Sequence, residues 1–341
     1  MNLLFVTGCN TGFFNTLLIC LQSFSLRTSG QRLFVCDYGM TKPQAEFLRE
    51  IGILIERPPS IDPSLDVFNC KAALIRYLNH AGHAIDRYDA IVWVDADLTF
   101  MDVGLGNFQG VAAEMKRAGA EVAVCSEPSG KSVGQMIAGL SKPPAKYPFA
   151  GVAQDAAIDL ARPYVSTGLF WVNSASFLTR WNHLTLAVEP HTLFEQNMFN
   201  VVLHRSLAPF LLMDCETWQA QGSSLDRVRL RATGTGGLGA VIANKNIKTL
   251  HATSPLFGHV QAVRGCLTVD QYELNGIFKL ILKDDVRSHQ LELLASFVYA
   301  HARMLTKIGV CRPAACPCEG FQFVITGPAD VVSSYLNVGT A

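Results

Sequence analysis

The sequence predicts an α/β protein: a mostly parallel sheet flanked by helices, with a C-terminal helical appendage. Three observations carry this expectation. Short apolar runs rich in β-branched residues alternate with amphipathic stretches through the first half of the chain. One of these runs, Ala90-Ile91-Val92-Trp93-Val94, ends in two aspartates, Asp95 and Asp97, with one residue between them. From Val269 to Ile308, Leu, Ile and Phe recur at three- and four-residue spacing, the period of a helix.

In chain order, Leu3 to Val6 reads as a strand, and a Gly/Asn turn from Gly8 to Gly12 leads into a helix over Asn15 to Arg27. Arg32 to Cys36 is a second strand. Thr41, Pro43 and Glu46 mark a capped helix that runs to Ile51. Ile53 to Ile55 is a third strand, and Asp66 to His80 a helix. Ala90 to Val94 and Glu121 to Cys125 are further strands. The segment 127–155 holds Lys131, Lys142, Lys146 and Pro143-Pro144 and reads as a long loop or lid; such loops often carry function. Tyr164 to Val172 returns to strand, Phe194 to Arg205 to helix, and Leu207 to Met213 to strand. Gly234 to Gly239 is a glycine-rich turn without the Gly-Lys-Ser/Thr ending of a phosphate-binding loop. Ile247 to His251 is a last core strand, and the tail from Cys311 is irregular.

Composition excludes several classes. The chain has 341 residues, 49% of them hydrophobic and 16% charged, which is globular rather than disordered. Its 28 basic and 28 acidic side chains leave no net charge to recruit nucleic acid. No run of 18–20 uninterrupted apolar residues predicts a membrane span. The apolar start lacks a basic region and is broken at Thr7 to Gly12, so it reads as strand, turn and helix rather than a signal peptide. Most of the ten cysteines sit singly in apolar segments and read as free thiols in a reducing, cytoplasmic setting. Cys311, Cys316 and Cys318 form a cluster whose spacing is not that of a two-plus-two zinc site.

The aspartate pair is the most informative feature. Residues two apart on a strand face the same side, so Asp95 and Asp97 aim two carboxylates at one point beyond a buried strand. In open α/β sheets, ligands bind at the carboxyl ends of strands. Two acids there need water, donors or a divalent cation.

Three later landmarks follow in order: Ser166-Thr167-Gly168 with an apolar run and Asn173; Glu195-Gln196-Asn197-Met198-Phe199-Asn200; and His251 at the end of a strand. With the Asp-x-Asp pair they resemble the retaining glycosyltransferases of the glycogenin and bacterial lipopolysaccharide hexosyltransferase type, which have the GT-A fold. The resemblance covers residues 1–260, implying a catalytic domain there and a mainly helical appendage over 261–341. Ser166 stands where the family has asparagine, Glu195 and Asn197 where it has aspartates, and the usual Gly-x-x-Lys-Pro-Trp after the histidine is missing.

Carried over by position, the resemblance implies that Asp97 and His251 bind a metal ion, Mn²⁺ or else Mg²⁺, and that Asp95 binds the metal or the ribose of the nucleotide. His259 is the spare imidazole. Gln196 would lie beneath the anomeric carbon, and Glu195 would orient donor or acceptor hydroxyls. Thr7, Gly8 and Asn10 would contact the nucleoside, Asp37 its base or ribose, and Lys71 the diphosphate or sugar. Gly168 would let the sugar approach, Trp218 and Gln219 would line the acceptor side, and Trp171 and Trp181 would serve the core.

The implied activity is transfer of a hexose from a nucleotide sugar, expected to be UDP-linked, to a saccharide or glycoconjugate, with retention following from the family likeness alone. Two other readings remain. A sugar-1-phosphate nucleotidyltransferase would need a basic residue in its N-terminal loop, and Gly8 to Gly12 has none. A binding protein on a decayed enzyme fold is suggested by Ser166 and Asn197 and opposed by the intact acids and histidine.

Overall fold

A computed structural model describes residues 1–140, 148–232, 238–252, 260–269, 272–281, 284–313 and 324–326. Up to residue 126 its elements are β1 (Leu3–Cys9), α1 (Phe14–Arg27), β2 (Leu33–Asp37), α2 (Lys42–Glu50), β3 (Leu54–Ile55), α3 (Val67–Ala72), α4 (Leu74–His80), β4 (Ala90–Val94), β5 (Leu98–Phe100), α5 (Leu105–Ala118) and β6 (Val122–Ser126). There follow α6 (Val133–Leu140), α7 (Pro148–Asp155), β7 (Val165–Val172), α8 (Ala175–Ala187), α9 (Phe194–Arg205), β8 (Phe210–Met213) and α10 (Cys215–Trp218). The last third holds β9 (Val228–Ala232), β10 (Leu238–Ile242), β11 (Lys245–Ile247), β12 (Thr249–His251), β13 (Val260–Val269), β14 (Tyr272–Ile281), α11 (Asp284–Lys307), β15 (Cys311–Pro313) and β16 (Val324–Thr326).

A seven-stranded sheet has the order β3-β2-β1-β4-β7-β6-β8. β1 pairs parallel with β4 and β6 with β8, while β7 runs antiparallel to both β4 and β6. Every residue of β4 and β7 is buried. This is why β4 reads as a continuous apolar run rather than an alternating one, and why the last four residues of β7 do the same.

The chain divides into two compact units. One comprises Met1–Gly8, Ile55–Asp95 and Leu105–Trp218. Its core is aromatic: Phe199 meets Phe170, Phe177 and Trp181 at ring-centroid distances of 5.0–5.1 Å. Offset and edge-on pairs of this kind add about 0.5–1.5 kcal/mol each beyond area burial. The other unit comprises Cys9–Leu54, Ala96–Gly104 and Gln219–Ala341. In it α1 packs along α11, and smaller sheets form from β9 to β11, from β5 with β12, and from β13 to β16. Met101, Leu225, Ile242 and Leu250 belong to one buried cluster there.

Several expectations are corrected. The 127–155 loop or lid contains α6 and α7, and 141–147 lies outside the described residues. The missed signal is a capping box: Gln135 N donates to Ser132 Oγ (3.2 Å) and Ser132 N to Gln135 Oε1 (2.8 Å). At α2 the box partner of Thr41 is Gln44, and Glu46 pairs with Lys42 instead. The expected helix over 269–308 is helical only as α11, because Tyr272–Ile281 forms ten paired positions with β13. Leu274, Phe278 and Leu280 are buried there. The first two suit a helical period and the last two a strand, and strand pairing decides.

The seven described cysteines with assigned burial are buried free thiols, among them Cys311 of the expected loop cluster. Burial pushes the Cys9 and Cys125 thiols well up, which keeps them inert. Cys316, Cys318 and most of the glycine-rich turn lie outside the described residues. No helix among the described residues is long and apolar enough to cross a membrane.

Candidate functional site

The aspartate pair straddles the end of β4 and the start of β5. Asp95 N donates to Gly168 O on β7 (2.8 Å), which fixes the turn. β5 pairs antiparallel with β12, with His251 opposite Leu98, so the next rung brings Ala252 N to Asp97 O at 3.0 Å. That ladder carries His251 to Asp97, leaving Nε2 3.0 Å from Oδ1. Both side chains are buried. Burial pushes the Asp97 carboxyl up, but His251, and to a lesser degree Lys279, outweigh it and hold it below the usual carboxylate value. Gln219 Nε2 donates to the other ring nitrogen, Nδ1, across 2.7 Å.

One ligand atom each from Asp95, Asp97 and His251 lie within 4.8 Å of one another. An octahedral cation with bonds of about 2.1 Å has neighbouring ligands about 3.0 Å apart. The Asp97–His251 separation matches such an edge. Carboxylate oxygens and a neutral imidazole nitrogen are donors that a divalent ion accepts, so the residues fit such an ion.

Asp95 also belongs to a second group. Lys71, buried on α3, reaches Asp95 Oδ1 at 2.9 Å, Thr167 Oγ1 at 3.1 Å and Glu195 Oε1 at 3.2 Å. Trp93 Nε1 donates to Asp95 Oδ1 (2.8 Å), and the Lys71 ammonium lies 5.6 Å from the centre of the Trp93 ring. Burial alone would push Lys71 down, but its two carboxylates outweigh it and raise its pKa above the ordinary lysine value. Burial pushes the Glu195 carboxyl up against the pull of Lys71, with Asp95 adding to the rise. One cation thus serves two acids.

Glu195 comes from the first turn of α9, which is stitched to β7 by side-chain amides. Asn200 Oδ1 accepts from Val165 N (2.8 Å), and Asn200 Nδ2 donates to Val165 O (3.0 Å). Gln196 Oε1 accepts from Thr167 N (3.0 Å) and Thr167 Oγ1 (3.3 Å), and Gln196 Nε2 donates to Tyr164 OH (3.2 Å). Asn197 is fully buried, accepting from Tyr164 OH (2.6 Å) and donating to Thr192 O (3.0 Å). Leu193 before α9 sits at φ 58°, a left-handed conformation that costs a β-carbon-bearing residue about 1–2 kcal/mol.

Thr7 is buried near the end of β1, and its Oγ1 makes no hydrogen bond; Gly8 follows it. Asn10 accepts from Phe13 N (3.2 Å), and Asp37 Oδ1 accepts from Gly39 N and Met40 N (2.8 Å each). Thr11 Oγ1 donates to Gly39 O (3.0 Å), which sets the turns after β1 and β2 side by side. Gly168 lies within β7 and carries the carbonyl that holds Asp95. His259 lies outside the described residues. Trp171 and Trp181 serve the core, and Trp181 Nε1 donates to Glu195 O (2.8 Å). Trp218 meets Phe108 and Trp171 edge-on at 5.7 and 5.2 Å.

Sequence reasoning missed Trp93, Thr167 and Lys279. The first two share a signal, since each stands two residues from Asp95 or next to Gly168 on a buried strand. Lys279 lay in the segment expected to be helical.

Fold and site define an α/β protein with an acid–imidazole arrangement suited to a divalent ion. No family model matches the chain, and no curated protein matches it. It is similar to solved structures of glycosyltransferases. One is the bifunctional glycosyltransferase WbbM in its apo form, with 11% identity, a TM-score of 0.47 and coverage of 74% of this chain. This chain spans less than half of WbbM, 46% of its length. Another is an active-site mutant of LgtC, with 10% identity, a TM-score of 0.48 and coverage of 88% of this chain and 96% of that one. A third is the galactosyltransferase LgtC in complex with donor and acceptor sugar analogs, with 11% identity, a TM-score of 0.46 and coverage of 87% and 96%.

Proposed function

We propose that the chain is a divalent-metal-dependent glycosyltransferase that moves a hexose from a UDP-linked donor to a hydroxyl of a saccharide or glycoconjugate. The observation that carries this reading is the convergence of Asp95, Asp97 and His251 at the carboxyl end of β4. Asp97 and His251 would hold Mn²⁺ or Mg²⁺, with Asp95 as the third ligand or the ribose partner. When bound, such an ion supplies Lewis-acid stabilisation of the charge gathering on a diphosphate leaving group.

The chain's own residues supply the rest. Lys71 balances the half-buried Asp95 and the buried Glu195 and keeps both carboxylates oriented. Glu195 accepts hydrogen bonds from sugar hydroxyls. The amide oxygen of Gln196, fixed by the Thr167 backbone, presents a dipole to positive charge at the anomeric carbon. A dipole held in advance needs no reorganisation as the charge develops. Thr7, Gly8, Asn10 and Asp37 line the nucleoside.

Calorimetric titration of UDP with and without Mn²⁺ tests the reading. Metal-dependent binding is expected, together with donor hydrolysis that is lost in Asp97→Asn. Equal hydrolysis in wild type and variant would instead favour a binding protein on an enzyme fold.

A further inference from the structure

Gln219 is fully buried, and its backbone neighbourhood is fixed against β12. Ala220 N donates to Thr249 O (3.1 Å), and His251 N donates to Ala220 O (2.9 Å). This strand-like seat sets the Gln219 amide nitrogen 2.7 Å from His251 Nδ1. With the amide donating to Nδ1, the ring proton sits on Nε2 and is donated to Asp97 Oδ1 across 3.0 Å.

A cation bound at Nε2 needs that lone pair, so the proton of the neutral ring must move to Nδ1. The present amide orientation would then oppose donor to donor. The two ends of a carboxamide have nearly the same shape, and a half-turn brings Oε1 to face Nδ1–H as an acceptor. A carboxylate or a backbone carbonyl could serve only the second state.

We propose that Gln219 is the positioning residue for His251, with an amide that reverses between an ion-free state, where His251 bonds Asp97, and a loaded state, where Nε2 faces the ion. This inference rests on reading Asp95, Asp97 and His251 as a divalent-ion site. Outer partners of metal-bound imidazoles typically contribute about 10–100-fold in metal affinity, and that is the effect expected here.

The test uses the full chain, with free Mn²⁺ counted by electron paramagnetic resonance during titration. Gln219→Met, which fills the same volume without a hydrogen bond, is expected to weaken Mn²⁺ binding about 10–100-fold. Gln219→Glu, an acceptor only, is expected to bind at least as tightly as wild type. Melting temperatures report whether each variant is folded. Independently, ¹⁵N resonances of His251 in the wild type are expected to place the proton on Nε2 without ion and on Nδ1 with saturating Mg²⁺.

A folded Gln219→Met that binds Mn²⁺ like wild type overturns the proposal, as does a His251 that keeps its proton on Nε2 in saturating Mg²⁺. In the first outcome the ion site itself stands; in the second, His251 is removed from the ion site along with its need for Gln219. Wild type that binds no Mn²⁺ overturns the ion site and the role of Gln219 together.

Discussion

Asp97 and His251 are 154 residues apart in sequence and 3.0 Å apart in space. Two three-residue strands make that approach. β5 begins one residue after Asp97, β12 ends at His251, and their antiparallel register sets the two residues side by side. Beyond them the Gln219–Ala220 segment runs beside β12 and supports the ring from its far side. The backbone seats of a carboxylate and an imidazole are thus brought together by paired strands before any ligand arrives.

The pair sets the first prediction. Asp97→Asn keeps shape and hydrogen bonding but removes an anionic oxygen. Mn²⁺ affinity should fall by more than the roughly 10–100-fold that loss of an outer partner causes, and Mn²⁺-dependent UDP binding should disappear. His251→Ala should do the same. Titration calorimetry on the two folded variants checks this, and a variant that binds UDP and Mn²⁺ like wild type would remove these residues from the site.

Lys71 sets the second. Its ammonium is the shared partner of Asp95 and Glu195, both within 3.2 Å. Lys71→Met leaves two carboxylates facing one another without it, and breaking a buried ion pair from one side costs about 3–5 kcal/mol. Adding Glu195→Gln to that variant should recover part of the loss, since one uncompensated charge is removed. Urea denaturation of the wild type, both single variants and the double variant measures the coupling, and simple additivity would show that the contact carries little.

Asn200 sets the third. It satisfies the buried backbone N–H and C=O of Val165 at once, and so aligns α9 with β7. Asn200→Ala should cost about 1–3 kcal/mol for each group left unpaired. Because Glu195 and Gln196 ride on the same helix, donor hydrolysis should fall as well, in a protein still folded at room temperature. A stability loss with unchanged hydrolysis would separate the clamp from the chemistry.

These residues also show how far the sequence was readable. Asp95 and Asp97 declared themselves because a buried strand ending in two charges has few bland explanations. Glu195, Gln196 and Asn200 could be placed on one helix, and that helix has the expected bounds. What Asn197 and Asn200 do there was not legible, since a buried asparagine bonded to a backbone looks the same in sequence as one facing a ligand. The Lys71 contact required knowing that α3 lies near β4 and α9, which is long-range geometry. The ladder of β13 and β14 was hidden because Leu274 and Phe278 satisfy a helical period as well as a strand.

Histidine burial sets the last prediction. Burial lowers His83, His191, His204 and His289 below the ordinary histidine value of 6.5. His204 is the clearest case: Nε2 donates to Pro163 O (2.9 Å), while Nδ1 is buried and makes no hydrogen bond. Protonation would place a charged N–H where nothing accepts it. A folded-state value below the unfolded one means the unfolded chain binds more protons, so stability rises with pH. The contribution is fully present above the unfolded value of about 6.5 and is lost as pH falls from there through the folded-state values. Melting temperature should therefore decline below pH 6.5, with little change above it from these groups. His204→Gln keeps a donor for Pro163 O and removes the titration, so its melting curve against pH should be flatter than that of wild type on the acid side. An identical acid slope in the variant would mean that His204 is protonated at little cost and that water reaches Nδ1.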